Sequence, residues 1–492
     1  MNLVEEIKNA IQESIEAIYQ KAVSNDALLI NETKAEFEGD FTLVTFSLSK
    51  LLGKKPDEIA DELGKELVDK FDLFTSYNVI KGFLNLTINH QFYISFLNDN
   101  WHNNEFGLLP SNHIKVMVEY SSPNTNKPLH FGHLRNIFLG ASIANILDAA
   151  GYEVIKANLI NDRGIHICKS MVAWLQFGNG ATPQSTGIKG DHLVGDYYVK
   201  FNDTYKLEIE TLIASGHSKE EAEKKAPIYL QAQELLRKWE AGDEETLSLW
   251  KTMNDWVYEG FDISYERLGI TFDKFYYESK TYLLGKKIIE RGLENGVLFQ
   301  KEDQSVWIDL TDDSLDQKLL LRGDGTSVYI TQDIGTANLK YSDFEMDRSV
   351  YVIGDEQNYH MQVLKLIMQK MGEPGADGIY HLSYGMVELP NGKMKSREGN
   401  VVDADDMMDE MIAIAKKNTE ELGKVDGFSK QELDDLFITL GLGALKFYLL
   451  RVDPKKRMIF NPEESIDFHG FTGPFVQYTH ARICSILRKA GD

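Results

Sequence analysis

The sequence predicts an α/β protein: a split, doubly wound parallel sheet interrupted by a helical insertion, with an α+β appendage before it and a helical segment after it. Three observations predict this. From Ile114 onward, apolar runs are each followed by a turn and an amphipathic helix, the pattern of parallel strands with crossovers. KVMVEY leads to a helix after Pro128, EVIKANLI to one containing Ile167 to Leu175, and SVYVIG to one containing Met361 to Met371. Between about Gly187 and Asp273 the chain turns helical and charge-rich, which marks an insertion, and after about Val401 it is again mostly helical.

In the appendage, Leu3, Ile7, Ile11, Ile15 and Ile18 recur at helical spacing, Phe41 to Phe46 reads as a strand, and Pro56 opens a second helix running to Lys70. The expected domains are therefore residues 1–110, then 111–400 with the insertion at about 187–273, a helical stem at 401–465, and a further helical region at 466–492. A chain of 492 residues, 43% hydrophobic and 26% charged, suits roughly two to four such domains.

Composition narrows the setting. Cys168 and Cys484 are far apart and form no C-x-x-C, so neither a disulfide framework nor a thiolate zinc site is expected, and a reducing compartment fits. The first residues interleave acids with apolar side chains, unlike a signal or transit peptide, and no apolar run approaches spanning length. A soluble cytoplasmic protein with no membrane partner, monomeric, is expected. The net charge of -24 does not exclude nucleic acid, because screening over roughly 8–10 Å lets local patches such as Lys54–Lys55 or Lys455–Arg457 act alone.

Neither G-x-x-x-x-G-K-[ST] nor a G-x-G-x-x-G after a strand is present, so the common nucleotide loops are absent. VEYSSPNTNKPLHFGHLRN offers another solution: a strand ending at Tyr120, a loop with two prolines, and a helix starting near His130. A helix N-terminus presents unpaired N–H groups to an anion. Gly132, lacking a Cβ, lets an adenine ring approach, and His130 and His133 share a face from which both can donate to phosphate oxygens. A zinc reading of the two histidines lacks a third ligand. Downstream, GMVELPNGKMKSREGN reads as a strand, a turn and a cationic loop with Lys393, Lys395 and Arg397. Alone, each segment also reads blandly, as a capped helix start and a solvated hairpin.

Together, in this order on a split parallel sheet, the two segments resemble the H-I-G-H and K-M-S-K-S signatures of class I aminoacyl-tRNA synthetases. SSPNTNKPLHFGHLRN, VYITQDIGTA, VIGDEQNYH and GPFVQYTHARICSILRKAG are similar to the arginyl-tRNA synthetase family. The resemblance implies a Rossmann-like catalytic domain that activates L-arginine with ATP and loads it onto tRNA(Arg), and an N-terminal domain touching the tRNA elbow. It assigns Glu119, Ser122, Asn124, Tyr329, Asp333 and Gln357 to arginine. It assigns His130, Gly132, His133, Gly354, Asp355, Met386, Lys393 and Arg397 to ATP, and Lys127, His130, His133, Lys393 and Lys395 to catalysis. The substrate's chemistry agrees, since a planar permanent cation is read by carboxylates and by an aromatic face.

One position departs from the family pattern: KMKSR has Ser396 where the signature has its second lysine. Arginyl enzymes often place that lysine before the first signature, here Lys127, with Lys395 the alternative. Mg²⁺ is expected mainly on the ATP phosphates, with no dedicated protein metal site. The chain is expected to stop early in a helical anticodon-binding domain and so to charge tRNA poorly. Two other readings are a different H-x-G-H ligase or nucleotidylyltransferase, which has no need of Glu119, Tyr329 and Asp333 together, and a catalytically dead relative, which loses a signature histidine or the cationic loop.

Overall fold

The computed structural model describes residues 3–388, 402–421, 423, 427–467 and 470–491. The chain divides into two compact units, Met1–Gly107 and Leu108–Asp492. In the first, strands β1 (Ile30–Glu32), β2 (Phe41–Val44), β3 (Phe74–Ile80) and β4 (Phe83–Ile88) form an antiparallel sheet in the order β1-β2-β4-β3. Helices Leu3–Tyr19 and Pro56–Lys70 supply Ile7, Ile11, Ile59 and Leu63 to a core with Leu43, Leu84 and Leu86. The helical spacing read from the sequence places those isoleucines on the covered face. The strand expected over Phe41 to Phe46 ends at Val44, and an unforeseen short helix, Phe46–Leu52, follows it.

The second unit is built on five parallel strands, β5 (Lys115–Glu119), β6 (Glu153–Ile160), β7 (Lys274–Tyr277), β11 (Arg348–Gly354) and β12 (Ile379–Tyr384). Their order is β12-β11-β5-β6-β7, so the chain runs outward one way from β5 and the other way from β11. In such sheets the crevice for ligands opens beyond the carboxyl ends of the strands at this reversal. Between β7 and β11 the chain forms an antiparallel sheet of β8 (Leu298–Gln300), β9 (Val306–Ile308) and β10 (Lys318–Leu321). The sequence reading did not foresee it: its strands are three or four residues long, too short to show alternation.

Helices Gly190–Ala214, Lys219–Lys225, Pro227–Glu240 and Glu244–Leu268 stand between β6 and β7, where the charge-rich stretch had been read. Helix Phe131–Ala149, which carries His133, is buried on all sides over its first turns, from Leu134 to Gly140. Its Leu134, Ile137 and Phe138 share a core with Val116 and Val118 of β5, Val257 and Phe261 of the insertion, and Met407, Met411 and Leu445 of helices Ala404–Glu421 and Lys430–Leu450. A second core, on the β11 side, joins Ile288, Ile334, Leu364 and Ile367 to the small antiparallel sheet. The final helix, Gly473–Ala490, meets Lys430–Leu450 where Gly473 approaches Gly443 and Gln477 donates to the Thr439 carbonyl at 3.0 Å.

The histidine helix packs closely on the end of β5 at Gly140, where a Cβ would fall 2.2 Å from Tyr120 Cγ and 2.3 Å from its Cβ. Neither atom can swing away, since both sit at the root of the side chain. Gly140→Ala should therefore cost about 1–3 kcal/mol of overpacking, read as a lower urea midpoint, although alanine is the better helix former. An unchanged or raised midpoint would show that helix and strand separate freely.

Candidate functional site

A cleft of about 610 Å³ opens beyond β5 and β11. Glu119, Ser122, Asn124, Tyr329, Asp333 and Gln357 all line it, together with His133 and Gly354. They arrive from four separate stretches of chain, and the strand reversal is what gathers them. One stripe of helix Tyr329–Phe344, Tyr329, Asp333, Thr336 and Lys340, forms a wall, as spacings of three and four residues require.

Immediately after β5 the backbone is forced. Ser121 and Ser122 have φ of 74° and 45°, a left-handed region that side-chain-bearing residues enter at a cost of about 1–3 kcal/mol each. Hydrogen bonds hold them there. Asn136 Oδ1 accepts from the Ser121 N–H at 2.6 Å, Asn158 Oδ1 accepts from the Ser122 N–H at 3.1 Å, and the Tyr265 hydroxyl lies 2.6 Å from Ser121 Oγ. The same Asn136 donates to the Val352 carbonyl of β11 at 2.7 Å and to the Tyr384 hydroxyl at 3.2 Å. One amide from the histidine helix therefore joins both sides of the cleft floor.

His130 is the N-cap, in extended backbone, and its N–H donates to His133 Nδ1 at 3.0 Å. That bond puts the His133 proton on Nε2, leaving this nitrogen a donor. The rings stack with centroids 3.8 Å apart. Burial, with Lys127 nearby, pushes His130 down to about 3; burial, His130 and Lys127 push His133 well below the usual histidine range. Both rings are thus neutral donors near pH 7. Gly132 makes room for this pair, since a Cβ there would lie 3.0 Å from His130 Cε1.

Each of the two acids expected to read a guanidinium already has a basic neighbour. Glu119 pairs with Lys340, whose side chain is 2% exposed. Burial pulls the Lys340 pKa down, but Glu119 and its surroundings outweigh this and leave it raised. Asp333 accepts from His360 Nε2 at 2.6 Å, a bond that raises the His360 pKa. The Tyr329 ring, 78% exposed at the rim, is open to stack on a planar cation. Glu278, within the field of Arg163, Asp162 and Asp333, is pushed up to about 7, chiefly by burial.

Among the described residues, one group has metal-ligating chemistry: Asp191, His192 and Asp405. The Lys189 ammonium stands among them, 3.1 Å from Asp191 and 2.6 Å from Asp405, so the charge a cation would supply is already there.

Several expected residues do not line the cleft. Lys127, His130 and Gly132 stand beside it at the helix start, Asp355 begins a 3-10 turn after β11, and Met386 accepts at its carbonyl from the Met458 N–H at 3.2 Å. Lys393, Lys395 and Arg397 lie outside the described residues. The Val402 carbonyl accepts from the Phe131 N–H at 2.9 Å. Sequence reasoning missed Asn136, Lys340 and His360. Asn136 and Lys340 were detectable, as each continues a helix stripe already carrying a chosen residue, at three residues past His133 and seven past Asp333.

A family model described as "tRNA synthetases class I (R), catalytic domain" matches residues 100–461, and one described as "Arginyl tRNA synthetase N terminal domain" matches residues 5–88. The chain is 56% identical to an arginine–tRNA ligase of Amoebophilus asiaticus, over 99% of this chain and 82% of that protein. It is 54% identical to an arginine–tRNA ligase of Bacteroides thetaiotaomicron, over 100% and 83%. Among solved structures, Thermus thermophilus arginyl-tRNA synthetase shares the fold, with a TM-score of 0.78 at 24% identity, over 100% of this chain and 82% of that one.

The neutral histidines leave a signature in stability. With the His130 pKa depressed to about 3, the unfolded chain binds protons, from about pH 6.5 downward, that the folded chain refuses. The stability this histidine contributes is complete above about 6.5 and is lost as pH falls toward its folded value. His130→Asn should therefore unfold with a shallower acid dependence, its denaturant midpoint converging on wild type between about pH 7 and about pH 4.5. Parallel curves would mean that His130 titrates alike in both states.

Proposed function

The chain belongs to the arginyl-tRNA synthetases, the class I arginine–tRNA ligases, and on that premise we propose that it joins L-arginine to tRNA(Arg) through an arginyl-adenylate, with transfer to the terminal ribose 2'-hydroxyl. The observation that carries this reading is the single cleft in which all six candidate arginine residues meet His133 at the strand reversal.

Arginine's guanidinium lies between Tyr329 and Asp333, with Gln357 as a further partner, and Ser122 and Asn124 take the α-amino and carboxylate end. ATP lies toward the helix start, its ribose near Gly354 and Asp355 and its adenine toward Met386. The arginine carboxylate attacks the α-phosphorus and pyrophosphate leaves. No protein nucleophile takes part, so the work is positioning and stabilisation of charge growing on the phosphates. His133 suits this task because its Nε2–H is an oriented neutral donor whose direction is fixed through Nδ1. Lys127, close enough to depress both histidines, supplies the nearby positive charge, with Lys393, Lys395 and Arg397 from the cationic loop. Glu119 already pairs with Lys340 and Asp333 with His360, which suits Mg²⁺ carried by the phosphates.

We assign residues 1–110 to the tRNA elbow, 111–400 to catalysis, 401–465 to the stem, and 466–492 to the anticodon-binding region. We place the activity in the cytoplasm, where charged tRNA is consumed, and expect a monomer. Among the described residues no helix is long and apolar enough to cross a membrane.

The two cleft acids should respond differently to neutralisation. Asp333→Asn should weaken arginine binding by about 1.5–3 kcal/mol with ATP binding barely changed, the scale of a charge-assisted hydrogen bond. Glu119→Gln should destabilise the fold by about 3–5 kcal/mol, because Lys340 is left buried and uncompensated. Calorimetry and denaturant titration separate the two, and equal loss of both ligands in Asp333→Asn would make that residue a support of the fold.

His133→Ala should slow single-turnover adenylate formation far more than it weakens ATP binding. Lys127→Ala should be more damaging in the same assay than Lys395→Ala. The reverse order would move the main pyrophosphate-stabilising cation to the downstream loop.

A further inference from the structure

The backbone on both sides of His130 is held by a strap from far down the chain. The Val402 carbonyl accepts from the Phe131 N–H at 2.9 Å, and the Ala404 N–H donates to the Leu129 carbonyl at 3.0 Å, so His130 faces Asp403 across an antiparallel bridge. His133 in turn is oriented by the His130 N–H. Whatever fixes the strap therefore fixes the direction of the His133 Nε2–H.

The next residue, Asp405, anchors the strap to the insertion. Its carboxylate meets Lys189 Nζ at 2.6 Å and Arg267 Nη1 at 3.0 Å, with His192 Nε2 at 3.3 Å and the Ser264 hydroxyl also at 3.3 Å. Burial alone would raise its pKa, but the hydrogen bonds from His192 and Lys189 hold it well below the usual carboxylate range. These partners come from the start of helix Gly190–Ala214 and the end of helix Glu244–Leu268, which lie between β6 and β7.

We propose that Asp405 is a positioning residue: clamped by Lys189 and Arg267 of the insertion, it sets the strap and through it the His130–His133 pair, so that the insertion helices control the geometry of the phosphate donors. The proposal rests on the reading that these histidines serve adenylate formation. The network makes it testable without unfolding the protein, because each cation has a second acid. Lys189 keeps Asp191 at 3.1 Å, His192 keeps Asp403 at 3.4 Å, and Arg267 keeps Asp409. Removing the Asp405 charge strands none of them.

The experiment compares wild type, Asp405→Asn, Lys189→Met, the Asp405→Asn/Lys189→Met double variant and His133→Ala in single-turnover adenylate formation with tRNA present, with arginine affinity and thermal unfolding measured on each. Asp405→Asn and Lys189→Met should each slow the step about tenfold, the scale of coupling through a packed network. Arginine affinity should hold within about twofold in both, and the double variant should be no slower than either single one. The unfolding midpoint of Asp405→Asn should stay near wild type, whereas that of Lys189→Met, which leaves the buried Asp191 without its ammonium, should fall. If His133→Ala is slow while Asp405→Asn is normal, or if Asp405→Asn loses rate, arginine affinity and stability together, the positioning role is overturned and the function stands. A normal His133→Ala overturns the functional reading and this proposal with it.

Discussion

The site depends on one side-chain amide. Asn136 reaches from the enclosed histidine helix to the Ser121 N–H past the end of β5 and to the Val352 carbonyl in β11. At this point the parallel sheet reverses its winding, and neighbouring loops diverge to leave the crevice. Without a clamp, two successive serines at positive φ would relax toward ordinary extended backbone and carry Ser122 and Asn124 out of the cleft. Packing of Tyr120 against Gly140 sets the helix depth that puts Asn136 in reach.

The electrostatic design is one of charges paired in advance. Lys340 stabilises the buried Glu119, and its ammonium is almost wholly enclosed in the cleft wall. Asp333 faces a neutral-to-cationic histidine, a softer partner that a guanidinium can replace or share. On the proposed reading, the division suits a pocket that reads one permanent cation without collapsing in its absence, since an unpaired buried carboxylate is costly. Beside it, the proposed phosphate end has neutral imidazoles, which would donate hydrogen bonds without being neutralised by a polyanion.

How much of this was legible in the sequence follows from which interactions are local. Strand-then-helix alternation, the cap at His130 and the insertion are written in nearest-neighbour patterns, and they read correctly. The candidate residues Glu119, Tyr329, Asp333 and Gln357 were legible through resemblance, and the structure brings them into one cleft. The partners of Glu119 and Asp333 were not, because lysine and histidine at positions 340 and 360 carry no pattern that says which acid they face. The small antiparallel sheet was missed for a related reason: three-residue strands are held by pairing across turns, a signal weaker than helical periodicity. Lys189 and Asp405 meet only in three dimensions, across 216 positions of chain.

The placement of β5 has a consequence for the birth of the molecule. Its neighbour β11 is so distant that the Lys115 N–H and the Asp347 carboxylate, which bond at the entrance to the pair, are 232 positions apart. At roughly 5–20 residues per second, a ribosome needs on the order of 10–50 s to span that interval. During that time an apolar strand, KVMVE, has one edge covered by β6 and the other bare, the condition that invites pairing with a foreign chain. The insertion lengthens that interval while its helices can fold from local contacts. An enzyme of protein synthesis built this way is itself a demanding client of nascent-chain protection, and its yield in a cell should track chaperone supply more closely than its finished stability suggests.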